Sequence, residues 1–182
     1  VSLEVLSEIS VFMHWITSAA WNKLMHIMYG NTVKKTIQGL NSFPISMITI
    51  HTSGGKEMMQ AAMQAVKGTD IKIFGVTALT SLNDKDTTDI FNRSITEQVN
   101  AMLDLAEEAG IHGIVCSPHE LELVNKKDSL LSITPGIRLK DLNDDQKRFM
   151  TPNQAIELGA DYIVIGRAIT SSADIKNTLE EI

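Results

Sequence analysis

Ser132-Ile133-Thr134-Pro135-Gly136-Ile137-Arg138, read together with Tyr162-Ile163-Val164-Ile165-Gly166-Arg167, decides the fold. Each stretch contains a short, β-branched apolar run, the composition of a strand that helices bury on both faces. Each also stops on residues suited to an anion. Pro135-Gly136 breaks the first run just before Arg138, and Gly166 ends the second just before Arg167. Gly166 has no Cβ, so a ligand can approach the backbone there. Arg167 can fork onto a phosphate, and a helix opening near Thr170 to Ser172 would point free N–H groups the same way. A polar loop through Asp145, Gln146, Lys147 and Arg148 and a helix from Pro152 to Leu158 join the two strands. In a (β/α) barrel, the loops after the last two strands are where a phosphate is usually held.

Upstream the same alternation recurs. Thr32 to Gly39 reads as a helix, Ile45 to His51 as a strand, and Gly54-Gly55 as the turn into a helix over Lys56 to Lys67, with Met58, Met59, Ala62 and Val66 facing inward. A strand over Ile71 to Leu79 ends in Thr80-Ser81, two hydroxyls on the side where a barrel keeps its chemistry. Asn83 to Asp89 reads as a solvated polar loop, because its aspartates lack the glycine and the closing glutamate of a calcium loop. A helix over Thr96 to Ala109 buries Val99, Met102, Leu103 and Ala106 and stops at Gly110. Then follow a strand at Ile114 to Ser117, a helix opened by Pro118, the two strands quoted above and a final helix from Ser172. Five strands alternating with helices make a parallel α/β sheet. At 182 residues the chain is short for a full eight-stranded barrel, which takes about 250. The expected fold is therefore α/β, an incomplete TIM (β/α) barrel over residues 31–182.

Residues 1–30 are different. Val5, Ile9, Phe12, Ile16, Ala20, Leu24 and Ile27 fall at spacings of three and four, which predicts an amphipathic helical segment standing in place of earlier strands. Glu8, His14, Asn22 and Lys23 interrupt it well short of the ~18 apolar residues of a membrane span. Glu4 and Glu8 stand where a secretory signal would be basic. His14 and His26 have no cysteine, aspartate or third histidine near them in sequence, so no metal site is expected. The net charge is −6 with lysine and arginine scattered, which argues against a nucleic-acid or anionic-membrane surface. The one cysteine, Cys116, excludes an internal disulfide, fits a reducing compartment and reads as a buried strand thiol.

These motifs resemble orotidine 5'-phosphate decarboxylase. Ile50-His51-Thr52-Ser53-Gly54-Gly55, Val76-Thr77-Ala78-Leu79-Thr80-Ser81, Gly113-Ile114-Val115-Cys116-Ser117-Pro118, the Ser132 to Arg138 run, Met150-Thr151-Pro152 and the Gly159 to Arg167 run follow that family's order and spacing. The likeness is nearly continuous from Asn31 to Ile182. It implies a cofactor-free cytoplasmic lyase that converts orotidine monophosphate to uridine monophosphate, the last step of pyrimidine nucleotide synthesis, and works as a dimer with shared sites. Carried over position by position, the resemblance gives Gln146 and Arg167, with the Gly166 and Arg167 backbone, to the phosphate. It gives Arg138 to the Gly-Ile-Arg motif, where Leu139 replaces the usual proline, and Pro135 to the loop over the base. Thr80 and Ser81 go to the pyrimidine or ribose end, and Thr32 to a place near the neighbouring subunit. His51 reads as a satisfied strand-end histidine rather than a base.

The family's chemistry depends on an Asp-x-Lys-x-x-Asp array directly before Ile-Pro-Asn-Thr. Aligning back from Asn31-Thr32 places Lys23, Met25 and Met28 where that Asp, Lys and Asp belong, and Gly30 replaces the proline. Sliding the alignment offers Lys23 as a weak substitute lysine but rescues no aspartate, since the first aspartate of the chain is Asp70. The resemblance therefore leaves three readings: a decarboxylase, a non-catalytic nucleotide-binding relic of that family, or another phosphate-binding barrel lyase. The last would need acidic metal ligands at early strand ends, which this sequence also lacks.

Overall fold

A computed structural model describes residues 29–79, 82–138 and 150–180. Its elements are α1 (Gly30–Leu40), β1 (Met47–His51), α2 (Gly55–Ala65), β2 (Lys72–Val76), α3 (Asp84–Phe91), α4 (Ile95–Ala109), β3 (Gly113–Val115), α5 (Leu121–Val124), β4 (Leu131–Thr134), α6 (Pro152–Glu157), β5 (Tyr162–Ile163), α7 (Arg167–Thr170) and α8 (Ile175–Glu180). The five strands lie in one parallel sheet in chain order. This is the expected rhythm of βα units. Among the described residues, no strand pairs with the outer edge of β1.

Alternation along the strands sorts the two faces. Ile48 and Ile50 of β1, Ile73 of β2 and Ile114 of β3 turn toward the helices. There they share a core with Met59 and Ala62 of α2, Val99, Leu103 and Ala106 of α4, and Leu121 and Val124 of α5. The methionines of α2 are packing, as read from sequence. On the other face, Phe74 of β2 meets Tyr162 of β5 edge-on at 6.1 Å. The ring reaches that far because Gly113 on the intervening β3 carries no side chain: a Cβ there would collide with the Phe74 ring and the Leu131 carbonyl. Thr49 and His51 of β1 are exposed, and no described element covers the sheet at that edge.

The structure corrects two local expectations. Asn83 to Asp89 is not a loop but the cap and first turns of α3. The Asn83 carboxamide accepts from the N–H groups of Lys85 (2.9 Å) and Asp86 (3.1 Å), and the Asp86 carboxylate accepts from the Asn83 N–H at 3.2 Å. This is a capping box. Asp84 and Asp86 then suit the positive end of the helix, so acidity that reads as solvation in fact starts a helix. The C-terminal helix is likewise divided, with α7 beginning at Arg167 and α8 following Asp174, whose carboxylate accepts from the Asn177 N–H at 3.0 Å.

His112 ties β2 to the segment entering β3. Its Nδ1 accepts the Ile73 N–H at 2.9 Å, which requires the proton on Nε2 and a neutral ring. Burial, and then the charge of Lys72, lower its pKa below the ordinary 6.5. A depressed histidine pKa means that the stabilisation is present above about 6.5 and is lost as pH falls through the folded value. Exposed His51 shifts the same way. Chemical denaturation of wild type and His112→Gln should therefore show a steeper acid-side loss of stability in wild type. Parallel pH curves would refute the assignment.

Candidate functional site

The two quoted turns come together at the C-terminal end of the sheet. Asp161, at the entry to β5, accepts through Oδ2 from the N–H (2.8 Å) and hydroxyl (3.0 Å) of Ser132, and its own N–H donates to Ser132 Oγ at 2.9 Å. Ser132 is fully buried while Asp161 is exposed, so the set sits at the boundary of the core. Beyond it the Val164 N–H bonds to the Thr134 carbonyl at 2.9 Å, and β4 and β5 end side by side. Pro135 and Gly136 leave one strand while Ile165 and Gly166 leave the other.

Gly136 has φ +85°, a left-handed conformation that glycine supplies without strain. Gly166 does not. Its φ lies outside that region, and a Cβ built on it meets no atom within 4 Å among the described residues. Among the described residues, neither backbone conformation nor packing demands glycine here. The Gly166 carbonyl accepts from the Ile169 and Thr170 N–H groups at 2.9 and 3.1 Å, opening α7 directly at Arg167. Ile137 and Met150 form a bridge, and the Arg138 N–H donates to the Met150 carbonyl at 3.0 Å, so the ends of the intervening polar loop are pinned together. Arg138 is itself buried, at 8% exposure.

Pro135, Arg138, Gly166 and the Arg167 backbone are thus assembled at one end of the sheet. Thr32 is not. It lies in the first turn of α1, a helix that packs against α2. Lys23, Thr80, Ser81 and Gln146 lie outside the described residues.

Behind these turns is a buried polar group that the sequence reading did not assign. Glu120 accepts from the Ser117 N–H at 3.1 Å and from the Thr77 hydroxyl at 3.4 Å. Its signal was the capping-box pattern Ser117-Pro118-His119-Glu120. Cys116, beside it, is buried, and burial followed by the Glu120 charge pushes its thiol pKa up to about 12. Such a thiol is no nucleophile at neutral pH. The buried Thr134 hydroxyl has the weakly accepting Cys116 sulfur beside it and no stronger partner among the described residues. His51 Nδ1 faces the Ser53 hydroxyl at 2.8 Å, a strand-end role. No group of three histidine, cysteine, aspartate or glutamate residues could hold a metal among the described residues.

This arrangement is a partial (β/α) barrel with its candidate site turns at the C-terminal end of the sheet. A solved orotidine 5'-phosphate decarboxylase from Lactobacillus acidophilus superposes with a TM-score of 0.69 at 31% identity, covering 82% of this chain and 67% of that one. The orotidine 5'-phosphate decarboxylase of Ehrlichia canis is 46% identical over 156 residues, 84% of this chain and 68% of the relative. That of Wolbachia pipientis subsp. Culex pipiens is 43% identical over 154 residues, 82% and 68%. The model of the Orotidine 5'-phosphate decarboxylase / HUMPS family matches residues 29–182, and the chain belongs to that family, whose named relatives here are carboxy-lyases. The match begins where the described structure begins.

Proposed function

We propose that this chain grips the phosphate end of orotidine 5'-phosphate or uridine monophosphate and that its decarboxylation of the former is severely impaired. The observation that carries the grip is Gly166. It has an open Cβ position and an arginine directly after it, beside the end of β4. In this reading Arg167 and Gln146 hold the phosphoryl oxygens, with Arg138 beside them, and Pro135 shapes the loop over the base. Thr80 and Ser81 meet the sugar or pyrimidine. Binding energy from such a remote, unreactive group orients the reacting ring, which is how phosphate contacts raise catalysis as well as affinity. Calorimetry with uridine monophosphate on wild type and Arg167→Ala tests it. Equal heats would sink the grip.

The impairment follows from what decarboxylation requires. Loss of carbon dioxide from C6 of the pyrimidine leaves a vinylic carbanion, which needs a positioned acid and fixed countercharges. Met25 and Met28, at the aligned positions of the array, are neutral and supply neither. We place the protein in the cytoplasm, in keeping with its single buried thiol.

Homodimerisation belongs to the same proposal. The β1 edge, Met-Ile-Thr-Ile-His, carries no Lys, Arg, Asp, Glu or Pro to blunt it, whereas β5 at the other edge is only two residues long. Thr49 is exposed, so Thr49→Lys places a charge at that edge without touching the core. Sedimentation should show a dimer for wild type and a monomer for the variant. Identical oligomeric states would rule out the β1 edge as the contact.

A further inference from the structure

Four helical segments among the described residues open with capping boxes, and one of these boxes does more than cap. Asp86, Glu97 and Gln154 each accept from the N–H of their own cap residue, and none of the three is buried. Glu120 is buried, at 8% exposure. Its Oε2 accepts from the N–H of its cap residue Ser117 and also from the hydroxyl of Thr77, which lies 43 residues earlier in the chain. Gln154 shows that an uncharged amide can close such a box in this protein. Burying a carboxylate is costly unless hydrogen bonds hold it, so capping alone does not account for an acid at this position. The second bond does, because it joins the exit of β2 to the exit of β3. Thr77 directly follows β2 and is fully buried; its N–H donates to the Val115 carbonyl of β3 at 3.1 Å, and its hydroxyl stands 3.1 Å from the same oxygen. The Cys116 N–H donates in turn to the Ile133 carbonyl of β4 at 3.0 Å.

We infer that Glu120 is a positioning residue for the ring end of the nucleotide, fixing the β2 and β3 exit turns against each other through Thr77 and Ser117. The inference rests on the phosphate reading above. The phosphate turns belong to the last two described strands, so the rest of a ligand held there lies over the sheet by extending toward the β3 and β2 exits. Glu120 touches no ligand in this arrangement. It acts through the two turns, and losing it lets them shift while the β4 and β5 turns, held by Ser132 and Asp161, stay in place.

Calorimetry of the full chain with uridine monophosphate and with ribose 5-phosphate, which keeps the phosphate and lacks the ring, separates these ends. Glu120→Ala should weaken uridine monophosphate about tenfold and leave ribose 5-phosphate unchanged, which also shows that the variant is folded. Glu120→Gln, which keeps an acceptor oxygen, should stay within about twofold of wild type for both ligands. Thr77→Val, which removes the hydroxyl and leaves the capping box whole, should reproduce the loss seen in Glu120→Ala. The inference is overturned if Glu120→Ala weakens both ligands together, as a purely structural cap would, if it weakens neither, or if glutamine fails as badly as alanine. Ribose 5-phosphate that does not bind wild type sinks the phosphate reading instead, and uridine monophosphate then tests Glu120 alone. Uridine monophosphate that does not bind wild type overturns both.

Discussion

Purified chain is expected to leave orotidine 5'-phosphate unconsumed, with absorbance tracking the buffer control, and Lys23→Ala is expected to change nothing. A positioned acid contributes roughly 10² to 10⁴ in rate, and each preorganised electrostatic contact roughly 10² to 10³. A sequence with Lys23, Met25 and Met28 at the three array positions lacks all of them, so the expected deficit is at least about 10⁴-fold against an intact relative. Turnover that disappears in Lys23→Ala would mean a displaced lysine still protonates carbon. Turnover that survives in it would mean another acid does so. Either result ends the proposal of impairment but leaves the phosphate grip standing.

Arg167→Ala is expected to weaken uridine monophosphate binding by about a hundredfold, or ~2.7 kcal/mol. A hydrogen bond to a charged group contributes roughly 1.5–3 kcal/mol, and a forked guanidinium can make two. Arg167→Lys should recover only part of this, because an ammonium keeps the charge but not the planar fork. Full recovery by lysine would reduce the contact to a point charge. The two experiments separate cleanly, since one reads chemistry and the other affinity.

The parallel sheet was legible because its strands are short β-branched runs set between helical stripes, and Ile48, Ile50, Ile73 and Ile114 face the helices as that pattern requires. The β4 and β5 turns were legible from Pro135-Gly136 and Gly166, where backbone geometry or missing bulk leaves a mark in sequence. What escaped depended on side chains answering one another. Asn83 and Asp86 read as two polar loop residues until their reciprocal bonds make them the start of α3. Ser132 and Asp161, far apart in the chain, gave no local sign of their pairing.

The Ser132–Asp161 pairing has a wider consequence. It fastens β4 to β5 at their entry ends, with both partners drawn from the last third of the chain, while β3 holds the other edge of β4. The separation of the two turns is thus fixed by side-chain bonds at the opposite end of the same strands, so Ser132→Ala would be felt at a distance from the place it alters.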